Sequence, residues 1–371
     1  MAGLFYSLTV WTIAFSNKIF QIVIMYSKQT FTVKENPVIL GIESSCDETA
    51  CAILRGRKIL SNRIISSATE QAKYGGVVPE IASRMHTEAV DEVVRQALSD
   101  ASISLDEVDC VAATYGAGLL GALLVGLSFG KALAYSLNVP FVAVNHIRGH
   151  IAAAYLDRPD LQPPFVTLLA SGGHTAILHT KSLTEFEVLA STSDDAAGEA
   201  FDKCARVLGL PYPGGPSVQK LAAQGKPTVN LPSALVKNST SLRFSYSGLK
   251  TAVINCVHNA SQRGEELNFA DVAASFQRAA IDPLVKKTVE CALACGVSTV
   301  TAGGGVIAND YLRTTLTESC KKAGLSLVLP EKKFCTDNAA MIASEGLNRY
   351  LAGDFAPLNT NAAAAIPLKQ L

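Results

Sequence analysis

From Val38 the chain runs apolar through "VILGIES", breaks at the polar "SCDET" and turns apolar again at "ACAIL". Two short apolar runs joined by a polar turn predict a β-hairpin. In "HTEAVDEVVRQALSDA" (86–101) apolar residues fall at 89, 90, 93, 94, 97 and 98, the stripe of an amphipathic helix. "VDCVAATYG" and "PFVAVNH" predict buried strands. Between them "GAGLLGALLVGLSFGKALAYSLN" (116–138) is apolar on every side. Its length suits a membrane span and "GALLVG" suits a membrane packing motif, but Lys131 and the flanking strands predict a buried core helix instead. After a proline-rich joint, "DRPDLQPP" (157–164), the pattern restarts. "FVTLLASGGHTAILHT" predicts a second hairpin around a Gly-Gly turn, and "VSTVTAGGGVIANDYLRTTLTESCKKAG" predicts a strand, a glycine turn and a helix opening near Asn309. Two halves that each begin with a hairpin predict a duplicated α/β architecture.

The 371 residues are 49% hydrophobic and 17% charged, enough for a large core and two domains. Lys+Arg and Asp+Glu are both 32, so global charge gives no argument for nucleic-acid binding, though a local patch suffices for it. The nine cysteines include no CxxC pair and sit among small apolar neighbours, as reduced core cysteines do. That favours a reducing, cytosol-like compartment. Residues 1–36 stand apart. "LFYSLTVWTIAFSNKIFQIVIMY" lacks the basic start and cleavage site of a secretory signal and contains no arginine, and Met25 offers an alternative start.

Three turns rich in glycine or hydroxyl residues follow predicted strands: "ESSCDET" (43–49), "ASGGHT" (170–175) and "TAGGGVIAN" (301–309). Bare backbone at such turns approaches a ligand closely, and successive N–H groups make an anion nest. None of the three turns matches GxxxxGKS or GxGxxG, so together they point to a nucleotide held between two lobes in some other way. In "VNHIRGHIAAAYL" (144–156), His146 and His150 lie one helical turn apart and share a face. They read either as core histidines or as two ligands of one metal ion, with Asp337 in "CTDNAAMIA" as candidate third ligand or as a helix cap. The zinc-protease pattern HExxH needs a glutamate beside the first histidine, and here Ile147, Arg148 and Gly149 intervene, which excludes peptide hydrolysis by that route. "DDAAGEAFDK" reads as an amphipathic helix or as a helix presenting Asp202 to a ligand hydroxyl. "RFSYSGLKTAV" presents Ser245, Ser247 and Lys250 to a polar ligand or is a plain loop.

Taken in order, "GIESSCDETACAIL", "YGGVVPEIASRMH", "NHIRGH", "LLASGGHTAIL", "DDAAGEAFDK", "YPGGP", "RFSYSGLK", "AGGGVIAN" and "CTDNAAMIA" resemble the TsaD family, the tRNA N6-adenosine threonylcarbamoyltransferases once labelled O-sialoglycoprotein endopeptidases. The resemblance spans about residues 38–350 and looks bacterial in type. It implies a two-lobed actin/hexokinase-like (ASKHA) fold with duplicated ribonuclease-H-like cores and a nucleotide cleft. Residues 37–145 plus 336–371 would form the first lobe and 146–335 the second, with 1–36 an extension. It implies transfer of the threonylcarbamoyl group from threonylcarbamoyl-adenylate to N6 of adenosine 37 in tRNAs reading ANN codons, with release of AMP.

Carried over residue by residue, the resemblance puts metal ligands at His146, His150 and Asp337. Substrate contacts fall at Leu169, Ala170, Ser171, Gly172, Gly173, Asp202, Gly215 and Asn309. Gln219 stands where some relatives carry an aspartate contact, and Ile147-Arg148 where many have Met-Glu. Backbone N–H groups at 171–173 would hold the adenylate phosphate, Asp202 a sugar hydroxyl, and Asp47 and Glu48 are candidates for deprotonating N6. The implied cofactor is one divalent metal ion per subunit, iron first and zinc second. The implied partners are tRNA, a paralogous TsaB-like subunit, a small TsaE-like ATPase and an upstream threonylcarbamoyl-adenylate synthase. No stable membrane association is expected, and the expected location is the cytoplasm, or an organelle if residues 1–36 are a transit segment. A sugar kinase of this fold, a metalloprotease and a chaperone-like ATPase are the competing classes. None of them accounts for both the histidine pair and the missing glutamate.

Overall fold

A computed structural model describes residues 30–74, 76–235 and 243–370. The first hairpin forms as expected: β1 (Val38–Glu43) pairs antiparallel with β2 (Glu48–Arg55), which pairs with β3 (Lys58–Ser66). After α1 (Ala68–Ala72) and α2 (Pro79–Ala101) come β4 (Cys110–Gly116), α3 (Leu120–Leu137) and β5 (Phe141–Asn145). The strand order is β3-β2-β1-β4-β5, with β1, β4 and β5 parallel. Every residue of β1 is buried because helices cover both faces of the sheet. Val38, Leu40 and Ile42 pack toward α2 and α3, while Ile39 packs on the far side. Alternation of side chains along the strand sends successive residues to opposite cores, so a strand between two helical layers reads as continuously apolar.

Two short helices, α4 (His146–Ala152) and α5 (Ala154–Asp157), lead to the second sheet. There β6 (Phe165–Ala170), β7 (Thr175–Thr180) and β8 (Phe186–Thr192) form a meander. It is followed by α6 (Ala197–Val207), α7 (Gly214–Ala222), β9 (Arg243–Phe244), α8 (Ser247–Arg263) and α9 (Phe269–Ala294). The chain continues through β10 (Thr299–Gly303), α10 (Asp310–Lys322), β11 (Ser326–Val328) and α11 (Ala339–Leu351). The order β11-β10-β6-β7-β8-β9 repeats the first sheet's plan, with β6, β7, β8, β10 and β11 in the places of β1 to β5 and β9 added at the edge. The duplication expected from the two hairpins is thus topological, strand for strand.

Three features differ from expectation or extend it. The segment 116–138 was expected to be buried all round. In fact α3 buries only a face of Ala122, Leu123, Gly126, Leu127, Gly130 and Ala134, and leaves Leu120, Leu124 and Tyr135 exposed. The small residues serve close packing on the sheet: a Cβ at Gly130 would stand 2.9 Å from Ala113 Cβ. Residues 31–34, assigned to the extension, dock on the first lobe. The Lys34 amide donates to Tyr350 Oη at 3.1 Å, and Phe31 meets Phe355 edge-on; residues 1–29 lie outside the described set. Finally, α11 returns to cover the first sheet, and the chain beyond it crosses to the second, where Leu368 packs with Phe186 and Val188.

Candidate functional site

The seam between the two sheets is built by α4 and by the loop that precedes α11. Asn145 ends β5 and caps α4, its side chain accepting from the Ile147 amide at 2.9 Å, so His146 and His150 start on a fixed first turn. Gly149 lets α4 lie against α11, since a Cβ there would stand 2.8 Å from Ile342 Cδ1. Arg148 points away from the histidines. Its Nε donates to the buried Glu345 at 2.5 Å and its guanidinium lies over the Phe186 ring. The position where a protease would hold its base is Ile147, which is buried in an apolar cluster, and the next residue is spent on an interhelical ion pair.

Asn338 caps α11, with its side chain accepting from the Met341 amide at 3.0 Å, and so Asp337 is left free of capping duty. Asp337 Oδ1 stands 3.4 Å from His146 Nε2 and 3.3 Å from His150 Nε2. Bonds of about 2.0–2.2 Å in a tetrahedral site put neighbouring ligand atoms about 3.4 Å apart, so both separations suit one shared ion. Both His150 ring nitrogens are buried without a hydrogen bond among the described residues, and metal ligation would satisfy Nε2, the one that faces Asp337. The three residues therefore fit a divalent metal.

The charges agree with this. Burial opposes ionisation of Asp337, yet the two histidines hold its carboxyl well below the usual range. Burial likewise opposes a charge on His146, but Asp337 and Glu43 raise its pKa well above the ordinary value. Burial holds His150 down. Glu43 is the residue that sequence reading missed. It is fully buried at the end of β1, accepts from His146 Nδ1 at 3.0 Å and from Thr114 Oγ1 at 2.7 Å, and leaves Nε2 as the metal-facing nitrogen. A carboxylate closing an otherwise apolar buried strand is the one signal that would have found it. His174 also lies close, its pKa lowered to about 4 by burial and by the two histidines.

A cavity of about 360 Å³ opens beside the tripod, lined by Asp47, Glu48, Ser171, Gly172, Gly198, Asp202, Tyr212, Gly215, Gln219, Gly305, Asn309 and Asp337 among others. The volume suits a ligand of nucleotide size. Asp337 belongs to both tripod and cavity. Leu169 and Ala170 are buried within β6 and Gly173 lies outside the lining, so of the segment 169–173 only Ser171 and Gly172 face this space. The expected nest is also narrower. The Ser171 amide donates to the His174 carbonyl at 2.8 Å, which leaves the Gly172 and Gly173 amides free among the described residues. The first turn of α6 presses on this turn, and a Cβ at Gly198 would stand 2.7 Å from the Ser171 oxygen.

Asp202 projects from α6. Its Oδ1 accepts from the Gly214 amide at 2.8 Å, Oδ2 has no partner among the described residues, and burial raises its pKa. Asn309 caps α10 and donates to Gln277 at 2.9 Å. Gln219 exchanges two hydrogen bonds with Asp310, at 2.8 and 3.0 Å. Asp47, Glu48 and Asp337 bring carboxylate oxygens within 4.8 Å of one another. Burial first, then Asp47 and Asp337, pushes Glu48 up to about 10, so it is protonated at neutral pH.

Ser245, Ser247 and Lys250 do not face the cavity. Asp194 accepts from Ser245 Oγ at 2.5 Å and from the Tyr246 and Ser247 amides, while Asp195 holds Lys203 and Lys250. These segments lock α6 to α8. Several basic side chains are likewise engaged within the protein: Arg55 with Glu107, Arg57 over the Tyr155 ring, Lys332 with Asp310 and Lys333 with Glu331.

The profile of the family described as TsaD: tRNA N6-adenosine threonylcarbamoyltransferase matches residues 58–344. A Clostridium beijerinckii protein of that name is 51% identical over 330 residues, 88% of this chain and 97% of its own. One from Clostridium botulinum is 48% identical over 338 residues, covering 91% and 99%. Among solved structures, HypF from T. kodakarensis aligns with a TM-score of 0.60 at 15% identity, over 88% of this chain and 49% of that one. Full-length HypF in a phosphate- and nucleotide-bound form gives 0.58 at 15% identity, over 89% and 49%. These likenesses show the fold, the two-lobed ASKHA type that the repeated strand order describes.

Proposed function

The chain belongs to the TsaD family of tRNA N6-adenosine threonylcarbamoyltransferases, and from that premise we propose how its own residues perform the transfer. The reaction moves the threonylcarbamoyl group of threonylcarbamoyl-adenylate to N6 of adenosine 37 in tRNAs reading ANN codons. The N6 lone pair attacks the carbamoyl carbon and the bond from that carbon to the phosphate oxygen breaks. That electron pair leaves with AMP, and N6 gives up one proton.

The second lobe holds the leaving half. Gly172 presents its free amide to the phosphate beside the positive end of α6, with Gly173 completing the turn. Asp202 Oδ2 accepts from a ribose hydroxyl, Gly215 admits the sugar to close range, and the segment from Gly305 to Asn309 flanks the base. Leu169 and Ala170 act through the strand that places the turn. The first lobe holds the proton chemistry: Asp47 takes the N6 proton, and protonated Glu48 orients Asp47 through a hydrogen bond. When bound at His146, His150 and Asp337, a divalent ion supplies Lewis-acid charge to the acyl group or a phosphate oxygen. Iron is our first assignment and zinc the second, since two imidazoles and a carboxylate serve both. An exocyclic amine is a weak nucleophile, so positioning and charge stabilisation carry most of the acceleration.

The observation that carries this reading is Asp337, shared between a metal-competent tripod and a nucleotide-sized cavity. The partners we propose are tRNA, a TsaB-like paralogue and a TsaE-like ATPase, with a threonylcarbamoyl-adenylate synthase supplying the donor. The exposed Leu120, Leu124 and Tyr135 of α3 support a protein partner on that face. We assign the enzyme to the cytoplasm. The test combines purified protein, partner proteins, unmodified tRNA and chemically prepared threonylcarbamoyl-adenylate. Modified nucleoside is expected, and its absence sinks the reading. His146→Ala is expected to lose both bound metal and transfer; full activity in a metal-free variant would remove the metal from the mechanism. Metal analysis of anaerobically purified protein decides between iron and zinc.

A further inference from the structure

Most of the cavity wall is small, aliphatic or polar. Two aromatic residues line it, and they differ in what they offer. Phe201 is 2% exposed and committed to the core of the second lobe, where it meets Phe276 edge-on. Tyr212 is 40% exposed, so its ring is open to a ligand.

The chain presents this ring rigidly. Tyr212 lies between Pro211 and Pro213 in the connection from α6 to α7. Ser217 Oγ donates to the carbonyls of both prolines, at 2.9 and 3.1 Å, and the Gly214 amide donates to Asp202 Oδ1. From this platform the ring reaches toward the first lobe. Tyr212 shares the cavity wall with Asp47 and Glu48 from the first lobe and with Asp202 from the second.

An adenine that delivers N6 to the metal end must leave its stack in the anticodon loop, and the lost stacking has to be replaced. The donor's own adenine lies at the far end, separated from the reacting carbon by ribose and phosphate. We propose that Tyr212 is the stacking platform for the acceptor adenine, holding it face-on while N6 points to Asp47 and the tripod. The proposal rests on the transferase reading above and adds to it the surface that receives the acceptor base.

The test measures transfer kinetics against each substrate for the wild type, Tyr212→Phe and Tyr212→Leu, with partner proteins present. Stacking on one aromatic side chain predicts that Tyr212→Leu lowers kcat/KM for tRNA about tenfold or more. The KM for threonylcarbamoyl-adenylate stays within about twofold, which also serves as the control for folding, and Tyr212→Phe stays near wild type. A tRNA carrying 2-aminopurine at position 37 has no 6-amino group to react, and reads the stack directly. Its emission in the complex is expected to be quenched with the wild type and Tyr212→Phe and brighter with Tyr212→Leu. A loss falling on the adenylate, a Tyr212→Phe variant as poor as Tyr212→Leu, or no change in either variant overturns the proposal. An inactive wild type overturns the transferase reading and this proposal with it, whereas an active wild type matched by Tyr212→Leu overturns the stacking role alone.

Discussion

The β1–β2 turn and the β6–β7 turn occupy equivalent places in the two copies of the fold, yet they are built for opposite chemistry. In the first, the hydroxyls turn inward. Ser44 Oγ donates to the Ala122 carbonyl and accepts from the Gly126 amide, while Ser45 Oγ meets His146 Nδ1 at 3.1 Å. That leaves Asp47 and Glu48 to face the cavity. In the second, the turn closes on itself through Ser171 and His174, and Gly172 and Gly173 expose bare backbone. One turn offers carboxylates and the other offers N–H donors. The two turns share a geometry, and under the proposed mechanism one serves the group that loses a proton and the other the group that leaves as a phosphate.

The sharpest way to break this comparison is to neutralise the first turn. Asp47→Asn combined with Glu48→Gln removes the proposed proton acceptor and its orienting partner while preserving shape. Loss of general-base assistance predicts a fall in transfer of about 10³-fold. Bound metal, measured by elemental analysis, is expected to stay within about twofold of wild type. A double variant that transfers normally would show that the acidic turn has no catalytic part.

The second turn should respond to crowding of its backbone. Gly198→Ala places a methyl 2.7 Å from the Ser171 carbonyl oxygen and 2.8 Å from the Gly172 Cα, so α6 or the turn must move. A shift of about 1 Å in a positioning element costs about 10²-fold in rate. We expect that loss in kcat/KM for the adenylate, with melting temperature lowered by only a few degrees. An unchanged adenylate KM and kcat would mean that the turn does not cradle the phosphate.

Some of this was legible along the chain because it depends on local spacing. The four-residue interval of His146 and His150, the apolar hairpins and the Asn309 cap all follow from what neighbours in sequence do to each other. Other parts depend on pairs far apart. Glu43 finds His146 across 103 residues, and Asp194 finds Ser245 across 51. No periodicity signals such contacts. The exposed face of α3 was hidden for a different reason: a helix apolar on every side has no stripe to show which side is buried. The nest at 171–173 was overcounted because a turn that spends one amide on its own closure has the same sequence as one that does not.

Glu43 sharpens the comparison at the strand ends themselves. It closes β1, whereas its counterpart closing β6 is Ala170. The buried carboxylate accepts from His146 Nδ1, a contact that an alanine at the end of β6 cannot make. Glu43→Gln keeps the shape but replaces a charged acceptor with an amide. Loss of such a partner behind a metal-bound histidine typically costs about 10- to 100-fold in metal affinity. Competition with a chelator measures this directly, and an affinity within about twofold of wild type would reduce Glu43 to a packing residue.

The smallest expected effect is the most discriminating between side chain and backbone. Ser171 lies in the proposed substrate segment and lines the cavity, but its hydroxyl is directed at the His174 backbone, accepting from the amide at 3.2 Å. The turn keeps its shape through the Ser171 amide and the His174 carbonyl, which any residue can supply. Ser171→Ala is therefore expected to change kcat/KM for the adenylate by less than about threefold, since one exposed-side hydrogen bond is worth about 1 kcal/mol or less. A loss approaching that of Gly198→Ala would mean that the hydroxyl itself touches the phosphate. The two turns would then differ in charge, and no longer in whether side chain or backbone does the binding.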